Sequence, residues 1–233
     1  MLLSQHCSPP SGFGRTGGVF SSFDLSREQP AVSVAVFIDW QNVYRSARSA
    51  FGLDDLPGSF GGFSPIRLGE YIAAARPLGV FGSLAKVQVH RGMPSPRRSP
   101  KANAAAQRQV RSWVEESQGL VVPKLRPLHY RRERSGRLLV AEKGIDVQIA
   151  LAAVSAILRD DCDVAVIFSH DSDLLPAVET IKDLASASRV ETASWSSSVF
   201  RTRIPPVRGV FNHFMDADAF RDVGGSTGRS GAV

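Results

Sequence analysis

With 233 residues, 43% of them hydrophobic, the chain is long enough to bury a sizeable core, and one domain with tails is expected rather than a short disordered regulator. Two cysteines, Cys7 and Cys162, exclude a disulfide framework; no Cys/His spacing suits zinc and no apolar run approaches a membrane span or a signal-peptide core, so a soluble cytoplasmic protein without membrane contact is expected. The formal net charge of +6 favours a polyanionic partner.

Residues 1–30 are rich in Ser, Gly and Pro and read as a tail. Gly12-Phe13-Gly14-Arg15-Thr16-Gly17 matches the dinucleotide-binding glycine pattern, but no strand precedes it and no amphipathic helix follows, so it counts as tail. The domain is expected over residues 31–221, with a second tail over 222–233. It opens on an apolar strand, Val32 to Ile38, ended by Asp39. A helix over Gln41–Phe51 carries Asn42 in its first turn, and a Gly/Pro-punctuated loop leads to a second helix at Ile66–Ala75. Ser83–His90 reads as a strand, followed by an exposed basic loop, Arg91–Pro100, with Arg91, Arg97 and Arg98. Ala102–Ser117 reads as a helix, with Lys101, Arg108 and Arg111 off its apolar stripe. A strand at Leu120–Leu125 precedes a basic connection, Arg126–Arg137, that holds His129, Tyr130, Arg131 and Arg132.

Gly144–Arg159 then reads as a helix with two apolar stripes, Ile145/Ile149/Ala152/Ala156 and Val147/Leu151/Val154/Leu158. Only Gln148, Ser155 and Arg159 form a polar edge, so most of this helix is expected to be buried. Asp146 lies in its first turn, with Glu142 and Lys143 just before it. Val164–Phe168 is short, β-branched and not alternating, as in a strand covered on both faces, and it runs into Ser169-His170-Asp171-Ser172-Asp173. A helix from Leu174 to Ala185 and strands at Arg189–Ala193 and Val210–Met215 complete the pattern. Strands alternating with helices predict an α/β fold with a mainly parallel central sheet, whose ligand site lies beyond the carboxyl ends of the strands.

Four acids share that address: Asp39 and Asp171 at strand tips, Asp146 opening a helix, and Asp173 opening the helix after the strand Val164–Phe168. Clustered carboxylates raise each other's pKa unless a cation neutralises them. Hard Mg²⁺ or Mn²⁺ is the natural neutraliser, since it takes oxygen ligands and supports displacement at phosphorus. Asp39, Asp171 or Asp173 alone reads as a helix N-cap, whereas Asp146 in a mostly apolar helix needs solvent or a partner; their shared edge favours a site. Asn42 serves either that site or the backbone. Thirteen Lys/Arg between Lys86 and Arg137 face three Glu, a net of +10 that leaves −4 for the rest of the chain. Acids at a sheet edge and basic loops beside it are what cutting a polyanion requires.

Phe37-Ile38-Asp39-Trp40-Gln41-Asn42, then Lys143-Gly144-Ile145-Asp146, then Ser169-His170-Asp171-Ser172-Asp173-Leu174-Leu175-Pro176 resemble, in order and spacing, the three signature elements of NYN domains in the PIN-like ribonuclease superfamily, LabA-like branch, over roughly residues 32–216. The resemblance implies a three-layer α/β/α sandwich and metal-dependent cleavage of single-stranded or structured RNA. It maps Asp39, Asp146, Asp171 and Asp173 onto the metal site and Asn42 onto its polar helper. Arg91, Arg97, Arg98, Lys101, Arg108, Arg131, Arg132 and Lys143 are the expected RNA contacts. The chain departs from the family at His170, where Gly is usual, and at Trp40, where a small residue is common. His170 reads as a solvent-facing turn residue, or as a group that narrows the site or bonds phosphate when protonated. Trp40 reads as packing against a helix before stacking on a base. The role of Glu142 is open, as is a homodimer. A weakly active or inactive RNA-binding module on the same fold is the alternative function, and a phosphatase of small substrates a weaker third.

Overall fold

The apolar run Val32–Asp39 forms strand β1, at the centre of a computed structural model that describes residues 31–58, 60–76 and 81–225. The glycine pattern at Gly12–Gly17 and Cys7 lie outside the described residues. Val34 through Ile38 have no exposed surface, because β1 is paired on both sides and covered on both faces. It passes directly into α1 (Trp40–Ala50). Then come α2 (Pro65–Ala74), β2 (Gly82–Met93), α3 (Pro100–Glu116), β3 (Val121–Pro127), β4 (His129–Arg132), β5 (Leu138–Ala141) and α4 (Ile145–Leu158). The chain closes with β6 (Val164–Phe168), α5 (Leu175–Leu184), β7 (Val190–Trp195), β8 (Phe211–Met215) and α6 (Ala217–Asp222).

The main sheet runs β3-β2-β1-β6-β7-β8, and every pair in it is parallel. The chain builds outward from β1 to β3, then returns to β6 and builds the other way. The carboxyl ends of β1 and β6 therefore flank the topological switch point where α/β sheets bind ligands. Alternation along β1 divides the core. Val34, Val36 and Ile38 pack with α1, α2, Trp113 of α3 and Phe220 of α6, whereas Ala35 and Phe37 pack under Ile145, Ile149 and Ala153 of α4 and Val178 and Ile181 of α5. This is the expected three-layer α/β/α sandwich. Trp195, at the end of β7, is fully buried yet keeps its indole N–H satisfied by the Val43 carbonyl at 3.0 Å, tying the sheet to α1. The loop after α1 is gathered by Arg48, whose guanidinium donates to the carbonyls of Asp54, Leu56, Pro57 and Phe60.

Several expectations need correction. The basic connection Arg126–Arg137 contains part of an antiparallel hairpin, β4–β5; β4 is arginine-rich and β5 a four-residue apolar run, neither alternates, and only the Ser135-Gly136 turn, with Gly136 at φ 85°, marked it. β2 continues through Met93, so Arg91 belongs to a strand and not to an exposed loop. α4 is not mostly buried. Three residues of its second stripe face outward, Val147 56%, Leu151 64% and Leu158 56% exposed, while Val154 packs against the core, because sheet and α5 together cover one side of the helix only. At the far end, α6 reaches Asp222 and Val223 is fully buried, so packed structure passes the expected limit at 221. Among the described residues no helix is long and apolar enough to cross a membrane.

Candidate active site at the sheet switch point

Asp39 ends β1 and also caps α1. It is 7% exposed; Oδ1 accepts from the Asn42 backbone N–H at 3.3 Å and Oδ2 from the Ser169 hydroxyl at 3.4 Å. The capping reading therefore holds for Asp39, whose carboxylate also stands at the carboxyl end of β1. Ser169 follows β6, the parallel neighbour of β1, and its Oγ accepts from the Asp171 N–H at 3.1 Å. Asp171 Oδ1 in turn accepts from the Asp173 N–H at 3.0 Å, starting the 3-10 turn Ser172–Leu174. This chain of local hydrogen bonds seats Asp171 beside Asp39 and leaves Asp173 exposed.

On the other flank of β1, Glu142 reaches the end of β2 and accepts from the Gly92 N–H at 2.7 Å. Only glycine permits this approach: a Cβ at position 92 would lie 2.5 Å from Glu142 Oε1. Burial raises the Asp39 pKa to about 7. The Asn42 N–H and Ser169 hydroxyl pull it down, and the charges of Glu142 and Asp171 push it further up. Glu142, whose role the sequence left open, thus joins Asp39 and Asp171. It was hidden because it precedes α4 and belongs to no periodic element.

Asp146 lies half-buried in the first turn of α4, after Gly144 in the left-handed region (φ 69°). α4 runs back across the sheet to enter β6, so its N-terminus stands at the same carboxyl edge. Neither Asp146 nor Asp173 is among the charges bearing on Asp39. Among the described residues, no three His, Cys, Asp or Glu stand close enough together to hold a metal ion as they are. The donor set nonetheless fits Mg²⁺ or Mn²⁺, which bind through one or two carboxylates and retain waters. A carboxyl held protonated toward neutral pH by burial and acidic neighbours is a site short of positive charge.

His170 corrects both sequence readings. It is 6% exposed and turned inward: Nε2 accepts from the Trp195 N–H at 2.9 Å, Nδ1 lies 3.3 Å from Asn42 Oδ1, and its backbone N–H donates to the same oxygen at 2.8 Å. The ring also meets Phe200 edge-on. Burial lowers its pKa to about 4, so the neutral imidazole has no charge to offer a phosphate. It is a peg joining β6, β7 and α1, and Asn42 is its clamp. His170→Ala is expected to lose about 2–3 kcal/mol of stability in chemical denaturation, because the Trp195 N–H is stranded and a cavity opens. An unchanged midpoint would refute the peg.

Trp40 is likewise a packing residue, 2% exposed between Phe63 and Trp113, so it does not stack on a base. Arg91 is drawn inward as well. Its guanidinium lies 5.8 Å from the Trp40 ring and 5.6 Å from Trp113, and it donates to Gln109 at 2.6 Å. Burial lowers its pKa while Glu142 opposes the shift. It braces the site from β2 and is no free arm for RNA.

Arg97, Arg98, Lys101, Arg108, Arg131, Arg132 and Lys143 are exposed. Arg98 lies 5.2 Å over the Tyr130 ring, and the Tyr130 hydroxyl accepts from Ser95 N–H at 2.8 Å, so the basic turn before α3 and the basic hairpin are one surface. Beside it, Gln41, Arg45, Arg91, Gly92, Leu128 and Glu142 line a cleft of about 500 Å³, with Glu142 the acid in its wall. Gln41 and Arg45 were not foreseen, although their i, i+4 spacing on α1 places them on one face.

A protein-family model described as NYN domain matches residues 33–200, more than half of the chain. A search of curated proteins finds no match. Among solved structures, the chain is similar to a protein of unknown function from Vibrio parahaemolyticus, with 19% identity over 81% of this chain and 95% of that one and a TM-score of 0.49.

Proposed function

The chain belongs to the NYN domain family, whose members are generally nuclease-like, and from that premise we propose that it is a divalent-metal-dependent ribonuclease. The observation that carries this reading is the placing of buried Asp39 at the switch point of the sheet with the charges of Glu142 and Asp171 bearing on it; burial first, and then those two acids, raise its pKa to about 7. The exposed basic turn and hairpin beside the acids support a polyanionic substrate, bound through its phosphates with strong salt dependence.

Asp39, Glu142 and Asp171 would hold Mg²⁺ or Mn²⁺, with Asp146 and Asp173 at the same edge as further ligands or water-orienting groups. Such an ion supplies charge neutralisation at the phosphate undergoing in-line displacement. The protein's own part is positional. The Gly92 N–H fixes the Glu142 carboxylate, Ser169 links Asp39 to the turn bearing Asp171, and the His170–Asn42 clamp holds that turn against α1. Arg97, Arg98, Arg131 and Arg132 lead the strand toward the cleft. A binding module without turnover found its motive in His170 beside the acids; since the imidazole points to Trp195, that motive falls away.

Manganese-supported cleavage of a single-stranded RNA by wild type and Asp171→Asn tests the proposal. A loss of roughly 100-fold or more is expected, corresponding to about 3 kcal/mol of lost transition-state stabilisation. Equal rates would remove the assigned site.

A further inference from the structure

On the face of the sheet toward α4, β2 is polar where its neighbour is mostly apolar. Lys86, Gln88 and His90 stand in register with Ala35, Phe37 and Asp39 of β1, and His90 pairs in turn with Lys124 of the edge strand β3. The helix does not cover this part of the sheet completely. Between α4 and the edge lies a cleft of about 290 Å³, with Gln88, His90 and Lys124 on the sheet side and Gln148, Ser155 and Arg159, the polar edge of α4, on the other. Arg159 and Lys86 share Asp161, at 3.4 and 3.7 Å, whereas Lys124 makes no ion pair among the described residues.

The buried groups here are unusual. His90 has no exposed surface, and neither of its ring nitrogens has a hydrogen-bond partner of normal geometry; the same holds for Gln88 Oε1 and Gln148 Oε1. Buried polar atoms are nearly always paired, so four such atoms around one small cleft call for an explanation. Burial lowers the His90 pKa to about 4, with help from Lys124 and against a hydrogen-bonding contact with the Gln148 side chain, which lies outside normal geometry. The neutral ring offers one donor and one acceptor, and the amides offer acceptors.

We propose that this cleft is a base-reading subsite of the RNA groove, in which Lys124 and Arg159 hold a phosphate while Gln88, Gln148 and His90 read the edge of a single base. It rests on the ribonuclease reading for the strand it would bind. Position supports it: His90 is one strand from Asp39 and Lys124 two, about 5 and 10 Å across the sheet, which suits a nucleotide next to the one whose phosphate lies at the acids. The volume admits one nucleotide and no more.

The test uses binding alone, so that it stands apart from turnover. Fluorescein-labelled 2′-O-methyl hexauridylate, and forms with one A, C or G at each position in turn, are titrated into the full chain by fluorescence anisotropy without divalent metal. Wild type is expected to discriminate between bases by about 5-fold or more at one position. Gln148→Leu should reduce that discrimination below about 2-fold while weakening overall affinity little. Lys124→Gln should weaken all probes together by about 5- to 10-fold and make the log–log salt slope shallower by about 0.7. Far-UV circular dichroism checks the fold of Gln148→Leu, and Lys124→Gln, at the sheet edge, is an independent variant. Wild-type affinities equal within 2-fold for all probes, or discrimination unchanged in Gln148→Leu, would overturn the subsite. Should the expected affinities appear without manganese-supported cleavage, the subsite stands and the ribonuclease reading falls.

Discussion

Asp39→Asn is expected to abolish RNA cleavage and, at pH 8 without divalent metal, to make the protein more stable. Both effects come from one carboxylate. Its pKa is raised from 3.8 to about 7, first by burial and then by Glu142 and Asp171 against the Asn42 and Ser169 hydrogen bonds. Ionising it in the fold therefore costs more than ionising it in the unfolded chain. Below pH 3.8 both states are protonated and the aspartate carries no penalty. As the pH rises toward 7 the unfolded chain ionises while the folded one keeps its proton, and wild type loses stability until the folded group also titrates. At 1.36 kcal/mol per unit, the gap above pH 7 is about 2–4 kcal/mol in favour of the variant. Asparagine preserves the shape, and it caps a helix as well as aspartate does, so the α1 cap contributes little to the difference.

Two other buried groups act in the opposite direction. His90 and His170, with pKa values lowered by burial to about 4, stay neutral in the fold while the unfolded chain protonates, so stability falls as the pH drops from 6.5 toward 4. Both are present in wild type and variant and cancel in the comparison. Urea denaturation of the two proteins from pH 4 to 8 in EDTA reads the Asp39 contribution directly. A gap independent of pH, or a variant less stable at pH 8, would mean that Asp39 is not the buried, repelled acid described here. Saturating Mn²⁺ should narrow the gap, because an ion held by Asp39 stabilises wild type more.

The legibility of this site in the sequence followed the physics of each part. β1 and β6 could be read because a strand buried on both faces must be apolar throughout, and Asp39 and Asp171 because an acid closing such a strand is conspicuous. Glu142 could not be assigned, since its place depends on Gly92 letting a distant segment approach the end of β2, a contact with no local signature. His170 was misjudged for a similar reason. A residue in a turn carries no periodicity to say which way its side chain points, and the Trp195 N–H that donates to its ring is 25 residues away. The second stripe of α4 teaches the converse. Val147, Leu151 and Leu158 have the spacing of a core-facing row, but spacing says only which residues share a face; whether anything covers that face is decided by the sheet and α5.

The stability of the opposite half of the sheet is expected to depend on one buried ionic network, and Glu191→Gln should cost about 3–5 kcal/mol. On β7, Glu191 accepts from Arg76 at 2.8 and 3.1 Å and lies 2.7 Å from His213 Nε2 of β8, with the side chains of all three less than 10% exposed. Burial alone would raise the Glu191 pKa; the bonds to His213 and Arg76 overcome it and hold the carboxyl below its usual range. The glutamate is therefore charged, and its stabilising contribution is present above the unfolded-chain value near 4.5 and lost as the pH falls through the lower folded value. Glutamine keeps the volume but leaves the Arg76 guanidinium buried without its carboxylate. For a domain of this size the expected drop in Tm is roughly 6–20 °C. Glu191 lies near the start of β7, whereas the His170–Trp195 link is at its end, so cleavage per folded molecule should be nearly unchanged. Replacing Arg76, Glu191 and His213 together by Met, Leu and Phe should recover most of the loss, since desolvating three ionisable groups consumes much of what their attraction supplies. A triple variant as unstable as Glu191→Gln would show that this network stabilises the β7–β8 edge in its own right.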